Sequence, residues 1–266
     1  MQTVTSKDGT KIAYDKVGQG PAVILVAGAM GTRSFGSPEL ADLLAKDFTV
    51  YNYDRRGRGG STDTQPFSVD REVEDIDALI DVAGGEAYVY GISSGACLAM
   101  EVAAVLGNKV KKLAMYEAPY DEAEGAAETW KKYRSDLDEA IAADRRGDAV
   151  VLFMKLVGVP EVAITGMKNS PMWPGLEALA PTLRYDAAAM GDDRSVPADR
   201  AAKVTAQTLV MDGGASLQPM PFMHTSAEKL AKAMPNAERQ TVEGQGHDVD
   251  SNVLAPVLIE FFSREK

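Results

Sequence analysis

The chain has 266 residues, 45% of them hydrophobic and 25% charged, with 28 Lys and Arg against 39 Asp and Glu for a net charge of −11. That length and apolar content suit one full core and exclude intrinsic disorder. One cysteine, Cys97, and two histidines, His224 and His247, exclude a disulfide framework and a multi-cysteine zinc site, and disfavour a multi-histidine metal centre. The acidic balance repels phosphate backbones and anionic lipid, so neither nucleic acid nor a membrane surface is an expected partner.

Residues Met1 to Lys7 lack the charged start, apolar centre and small-residue cleavage site of a secretory signal. The apolar and Gly run Ala22 to Gly31 has about half the length a bilayer requires. The expectation is a soluble, cytoplasmic protein. Strands are predicted at Gln2–Thr5 and Lys11–Val17 around the turn Lys7-Asp8-Gly9-Thr10, which reads as a hairpin. Beyond it, short Val-, Ile- and Tyr-rich runs at Ala22–Val26, Thr49–Tyr53, Ala87–Tyr90, Val110–Tyr116 and Thr208–Met211 suit a parallel sheet covered on both faces. Helical periodicity appears between them at Glu39–Ala45, Val69–Val82, Ser94–Leu106, Ser226–Ala233 and Val253–Phe262. Alternation of this kind gives a doubly wound α/β fold with ligands at the carboxyl ends of the strands.

One stretch interrupts the alternation. From Pro119 to about Ala202 no strand is predicted; helical patterns at Ala126–Ala143 and Asp148–Val157 precede the passage Ser170-Pro171-Met172-Trp173-Pro174-Gly175. This reads as a helical cap, residues 119–202, inserted after the sixth strand of a core formed by residues 1–118 and 203–266.

The string Gly91-Ile92-Ser93-Ser94-Gly95 lies between a strand and a helix. A turn this tight needs glycine at both ends, holds the serine strained above the sheet and offers helix N-terminal N–H groups to a developing anion. Ser93 is therefore the candidate nucleophile.

With that turn in place the sequence resembles the α/β-hydrolase superfamily over nearly its whole length. The opening hairpin, the loop Ala27-Gly28-Ala29-Met30-Gly31, the loop Tyr53-Asp54-Arg55-Arg56-Gly57-Arg58-Gly59-Gly60-Ser61, the serine turn and a late Gly246-His247 fall in the family's order. The resemblance implies an α/β-hydrolase-type sheet, mostly parallel, with no cofactor and no metal. It makes Asp54 and the arginines structural, which accounts for the one basic run. It implies His247 as general base, with His224 read as an exposed loop residue entering a helix, because an imidazole can take the serine proton and return it to the leaving group. It implies backbone oxyanion donors at Ser94 and at Ala29, or alternatively Gly28.

The orienting acid is left between positions. Most members carry an Asp after the strand matching Thr208–Met211, but here that loop is Asp212-Gly213-Gly214-Ala215-Ser216, with Ser216 where the acid is expected. A smaller set, including haloalkane dehalogenases and fungal zearalenone lactonases, takes the acid from the end of the sixth strand, where Glu117 stands before Ala118-Pro119. Glu117 is preferred, with Asp212 the alternative and Asp248 behind it. Cys97 is read as core, and Met30, Met154, Met172 and Trp173 as candidates to line an apolar pocket.

The function implied is hydrolysis of a carboxylic ester or lactone, the substrate being a small, apolar molecule. The resemblance to zearalenone lactonases includes Gly91-x-Ser93-Ser94-Gly95-Ala96 and Glu117-x-Pro119. Alternatives are C–C bond hydrolysis, perhydrolysis or hydroxynitrile cleavage by the same groups, or a non-catalytic ligand receptor on the same fold. Oligomeric state is not expressed in the sequence.

Overall fold

The computed structural model describes residues 1–36 and 38–264. Eight strands, β1 (Gln2–Thr5), β2 (Lys11–Val17), β3 (Ala22–Val26), β4 (Thr49–Tyr53), β5 (Ala87–Ile92), β6 (Val110–Tyr116), β7 (Gln207–Gly213) and β8 (Ala237–Val242), form one sheet in the order β1-β2-β4-β3-β5-β6-β7-β8. β1 and β2 pair antiparallel, as does β2 with β4, and every later pair is parallel.

The apolar runs form interior strands because both of their faces are covered. Along β3, Val23 and Leu25 join one core cluster while Ile24 and Val26 join the other. β6 alternates likewise, with Leu113 and Met115 on one side and Ala114 and Tyr116 on the other. The smaller cluster is closed by α1 (Pro38–Leu44) and α11 (Ser251–Ser263), through Leu40, Leu44, Leu258 and Phe262. The larger is closed by α2 (Val69–Val82), α3 (Ser94–Leu106) and α10 (Pro221–Ala233).

Between β6 and β7 the described chain is entirely helical in its regular elements: α4 (Ala126–Ala142), α5 (Arg146–Leu156), α6 (Glu161–Lys168), α7 (Trp173–Leu179), α8 (Leu183–Ala189) and α9 (Ala198–Ala201), with a short 3-10 turn before α8. Trp130, Tyr133 and Leu137 of α4 and Ala149, Val150 and Met154 of α5 are buried in the larger cluster.

Of the element boundaries that differ from the sequence expectation, two have clear local reasons. β7 runs on through Asp212 and Gly213, which pair with Thr241 and Val242 of β8. α10 begins at Pro221, whose fixed φ and missing N–H suit a first helical position. His224 therefore lies in the first turn of a helix and not in a loop.

Helix α3 approaches the sheet closely through glycine. A Cβ on Gly95 would stand 2.3 Å from the Val26 carbonyl oxygen, and one on Gly91 would stand 2.4 Å from that of Gly95. Gly95→Ala is expected to destabilise the fold by about 3 kcal/mol, the upper part of the overpacking range. Gly166→Ala in α6, where a Cβ would meet nothing within 4 Å, should stabilise it slightly. Urea denaturation of the two variants checks the contrast; equal midpoints would refute it.

Candidate active site

Ser93 ends the turn from β5 into α3 at φ 56° and ψ −132°, a backbone region L-residues seldom occupy. Its N–H donates to the Tyr116 carbonyl at 2.9 Å, anchoring the turn to β6. Ser93 lines a cavity of about 400 Å³ whose wall also includes Gly28, Ala29, His247 and Asp248.

The next residue after β6, Glu117, is fully buried and also takes a positive φ, 47°. Its Oε2 lies 2.7 Å from His247 Nδ1, and its Oε1 accepts from the Gly213 N–H at 2.9 Å. Tyr116 donates its hydroxyl to the Gly246 carbonyl at 2.6 Å, so the end of β6 grips the histidine loop at two consecutive residues. Nothing in the sequence distinguishes Tyr116 from any other buried strand tyrosine. Burial alone would push the Glu117 carboxyl up, but the His247 ring, the nearby Ser216 hydroxyl and the Gly213 N–H hold it below its ordinary range. The Ser216 hydroxyl, although close enough to act in this way, makes no regular hydrogen bond of its own among the described residues.

Asp212 is as buried as Glu117 but meets different partners. Its carboxylate accepts from Arg239 Nε at 3.0 Å and lies 3.0 Å from His224 Nδ1. The β7–β8 register explains this, since Asp212 pairs with Thr241 and therefore lies beside Arg239 on the neighbouring strand. The carboxylate facing His247 is that of Glu117, not Asp212. Asp248 lines the cavity without holding the ring.

Gly28 lies against the serine: a Cβ there would stand 3.0 Å from Ser93 Cβ. Among the described residues, neither the Ala29 nor the Ser94 N–H is bonded to a backbone carbonyl. Behind this loop the basic run is buried. Asp54 accepts from the Arg33 N–H at 2.7 Å and the Gly60 N–H at 2.7 Å, holding the turn. Arg55 pairs with Glu72 and Asp186, Arg56 with Asp75 and Asp8, and Arg58 with Asp186.

The four residues expected to line an apolar pocket lie elsewhere. Met30 and Met154 are buried in the larger core cluster, Met172 is 54% exposed, and the Trp173 ring packs 3.5 Å from where a Gly147 Cβ would stand, joining α7 to α5. None of them lines the cavity of Ser93 and His247; the insertion contributes Phe153 and Val157 instead. The remaining wall is mostly apolar, with Phe35, Leu40, Ile92 and Leu254. Cys97 is wholly buried, and burial pushes its thiol up to about 12, so it is no nucleophile at neutral pH. Among the described residues no three His, Cys, Asp or Glu side chains gather as a metal set, and no helix is long and apolar enough to cross a membrane.

Depressed carboxyls link the site to pH. Asp186, like Glu117, is held below its ordinary range, burial being outweighed by Arg58 and Arg55. A carboxyl lower in the folded than in the unfolded chain contributes stability that is full above its unfolded value, 4.5 for Glu and 3.8 for Asp, and is lost as pH falls through the folded one. The melting temperature should hold between about pH 7 and 5 and drop below about pH 4. A melting temperature still unchanged near pH 2 would contradict this.

Fold and site together define a hydrolase-type arrangement, with a serine in a strained strand-to-helix turn and a carboxylate-bound histidine on one cavity. The model of the alpha/beta hydrolase family matches residues 23–257, and the chain belongs to that family. An alpha/beta hydrolase from Sphaerobacter thermophilus is 49% identical with a TM-score of 0.88, the match covering 98% of this chain and all of that one. A Mycobacterium tuberculosis protein named as a non-heme bromoperoxidase, BpoC, is 25% identical over 89% of this chain and 90% of its own length. The enol-lactonase of Burkholderia xenovorans shares the fold, at 19% identity and a TM-score of 0.69 over 99% of this chain and all of that one.

Proposed function

We propose that the chain is a serine hydrolase that cleaves a carboxylic ester or lactone through an acyl-enzyme and needs no cofactor. The observation that carries this is the Glu117–His247 pair at 2.7 Å on the same cavity wall as Ser93. With Glu117 accepting from Nδ1–H, the far ring nitrogen is left free to take the Ser93 proton. Ser93 Oγ then attacks the acyl carbon, and the charge on its oxygen is met by the Ala29 and Ser94 N–H groups. His247 returns the proton to the departing alkoxide, and water, deprotonated by the same ring, releases the acid and restores Ser93. Residues 119–202 serve as a cap whose Phe153 and Val157 close the acyl pocket.

A fluorophosphonate should label Ser93 stoichiometrically, as read by mass spectrometry of the peptide. No label on Ser93 would sink the proposal.

The cavity also favours a substrate charge state. Among the described residues lining it none is Lys or Arg, while Asp248 is an acid. An ester with a terminal carboxylate on its acyl chain should show kcat/KM at least about tenfold below its neutral isostere, since burying an unpaired charge beside a like one is unfavourable. Asp248→Asn should narrow that ratio. A ratio near one in the wild-type enzyme would refute it.

A further inference from the structure

Asp186 lies in α8, within the helical insertion, and is surrounded by no recognisable motif. Its side chain is 3% exposed, and its two oxygens join the serine turn to the arginines of the loop after β4. Oδ1 accepts from the Ser94 hydroxyl at 2.8 Å and from Arg55 Nη1 at 2.6 Å, and Oδ2 accepts from Arg58 Nη2 at 2.7 Å. The two guanidinium groups continue to the loop after β3. Arg58 Nη1 donates to the Gly28 carbonyl at 2.7 Å and the Gly31 carbonyl at 3.3 Å, and Arg55 Nη1 donates to the Ala27 carbonyl at 3.3 Å.

Peptide geometry gives this linkage a direction. In a trans peptide the carbonyl and the following N–H point opposite ways, so a guanidinium gripping the Gly28 carbonyl turns the Ala29 N–H away from itself. Arg58 is buried and forms no part of the cavity wall, whereas Ala29 does. The other donor, the Ser94 N–H, belongs to the residue whose hydroxyl Asp186 holds.

We propose that Asp186 is a positioning residue that aligns both backbone donors of the oxyanion hole, so that seating of the helical insertion sets the geometry of the reaction. This rests on the serine-hydrolase reading. The rival role is charge balance alone: Arg55 and Arg58 face Glu72 and Asp186 in a buried quartet, and any well-placed anion would satisfy that.

Turnover per active site separates the two roles. Active sites are titrated by the p-nitrophenol burst from a p-nitrophenyl ester, and kcat, KM and the affinity of an alkyl trifluoromethyl ketone, which mimics the tetrahedral state, are measured for each variant. Asp186→Asn should lower kcat per titrated site by about tenfold to 100-fold, weaken the ketone by a similar factor and leave KM within about twofold. Asp75→Asn, which removes a buried partner of Arg56 away from the loop, should lower the melting temperature while keeping turnover per site within about twofold of wild type. If Asp186→Asn gives no folded protein, Arg58→Lys carries the test with the same expected losses, because one ammonium keeps the charge but does not span Gly28 and Asp186. Turnover per site within about twofold of wild type in the folded variant would overturn the positioning role. Wild-type enzyme unlabelled at Ser93 would overturn both readings; labelled wild-type enzyme with unaffected variants overturns this one only.

Discussion

Replacing Ser93 with alanine should lower kcat for a p-nitrophenyl ester by about 10⁵- to 10⁶-fold while leaving the fold intact. The magnitude follows from the proposed mechanism, in which without Oγ there is no acyl-enzyme and His247 has no hydroxyl to activate. The remaining rate over water would come from the backbone donors and the cavity alone. Loss of rate with unchanged affinity for a non-hydrolysable ester analogue is the expected pattern. A variant retaining a tenth of wild-type turnover would show that Ser93 is not the nucleophile. Ser93→Cys is less decisive, because a thiolate in the same place retains nucleophilic chemistry.

The second large effect is at Glu117. Glu117→Gln keeps the shape and one acceptor oxygen, but it removes the charge beside the ring and permits the wrong tautomer of His247; kcat should fall by roughly 10³- to 10⁴-fold. Asp212→Asn disturbs a carboxylate bound to Arg239 and His224, so it should cost stability and leave kcat within about threefold of wild type. Steady-state kinetics with active-site titration decides between the two acids. The assignment fails if Glu117→Gln turns over normally while Asp212→Asn loses several hundredfold.

How far these residues were readable from the sequence depended on the physics behind each. The interior strands were legible because a strand covered on both faces has to be apolar throughout, as β3 and β6 are. Ser93 was legible because Gly91 and Gly95 leave no room for a side chain, so the pattern is a steric requirement printed in the sequence. The choice between Glu117 and Asp212 was only half legible. Both are buried acids at strand ends, and what separates them is the β7–β8 register, which no local pattern encodes.

The cavity wall was misread for a related reason. Met154 was expected there, but Phe153 and Val157, four residues apart at the end of α5 and just beyond it, share the face turned to the cavity, and Met154 is rotated toward the core. Asp186 was invisible, since its partners Arg55 and Ser94 lie 131 and 92 residues away and an acid in a short helix has no signature.

Among the described residues five non-glycine positions take a positive φ, and two of them are Ser93, on the cavity wall, and Glu117, the carboxylate beside His247. Each such residue costs on the order of 1 to 3 kcal/mol that the rest of the fold must offset. Selection for heat resistance alone, with no demand for turnover, would therefore push against the proposed reactive centre first. On the proposed mechanism, glycine at 93 or 117 would relax the backbone and erase the chemistry together, so a thermostability screen on this protein would have to be coupled to an activity readout or it would enrich inert molecules.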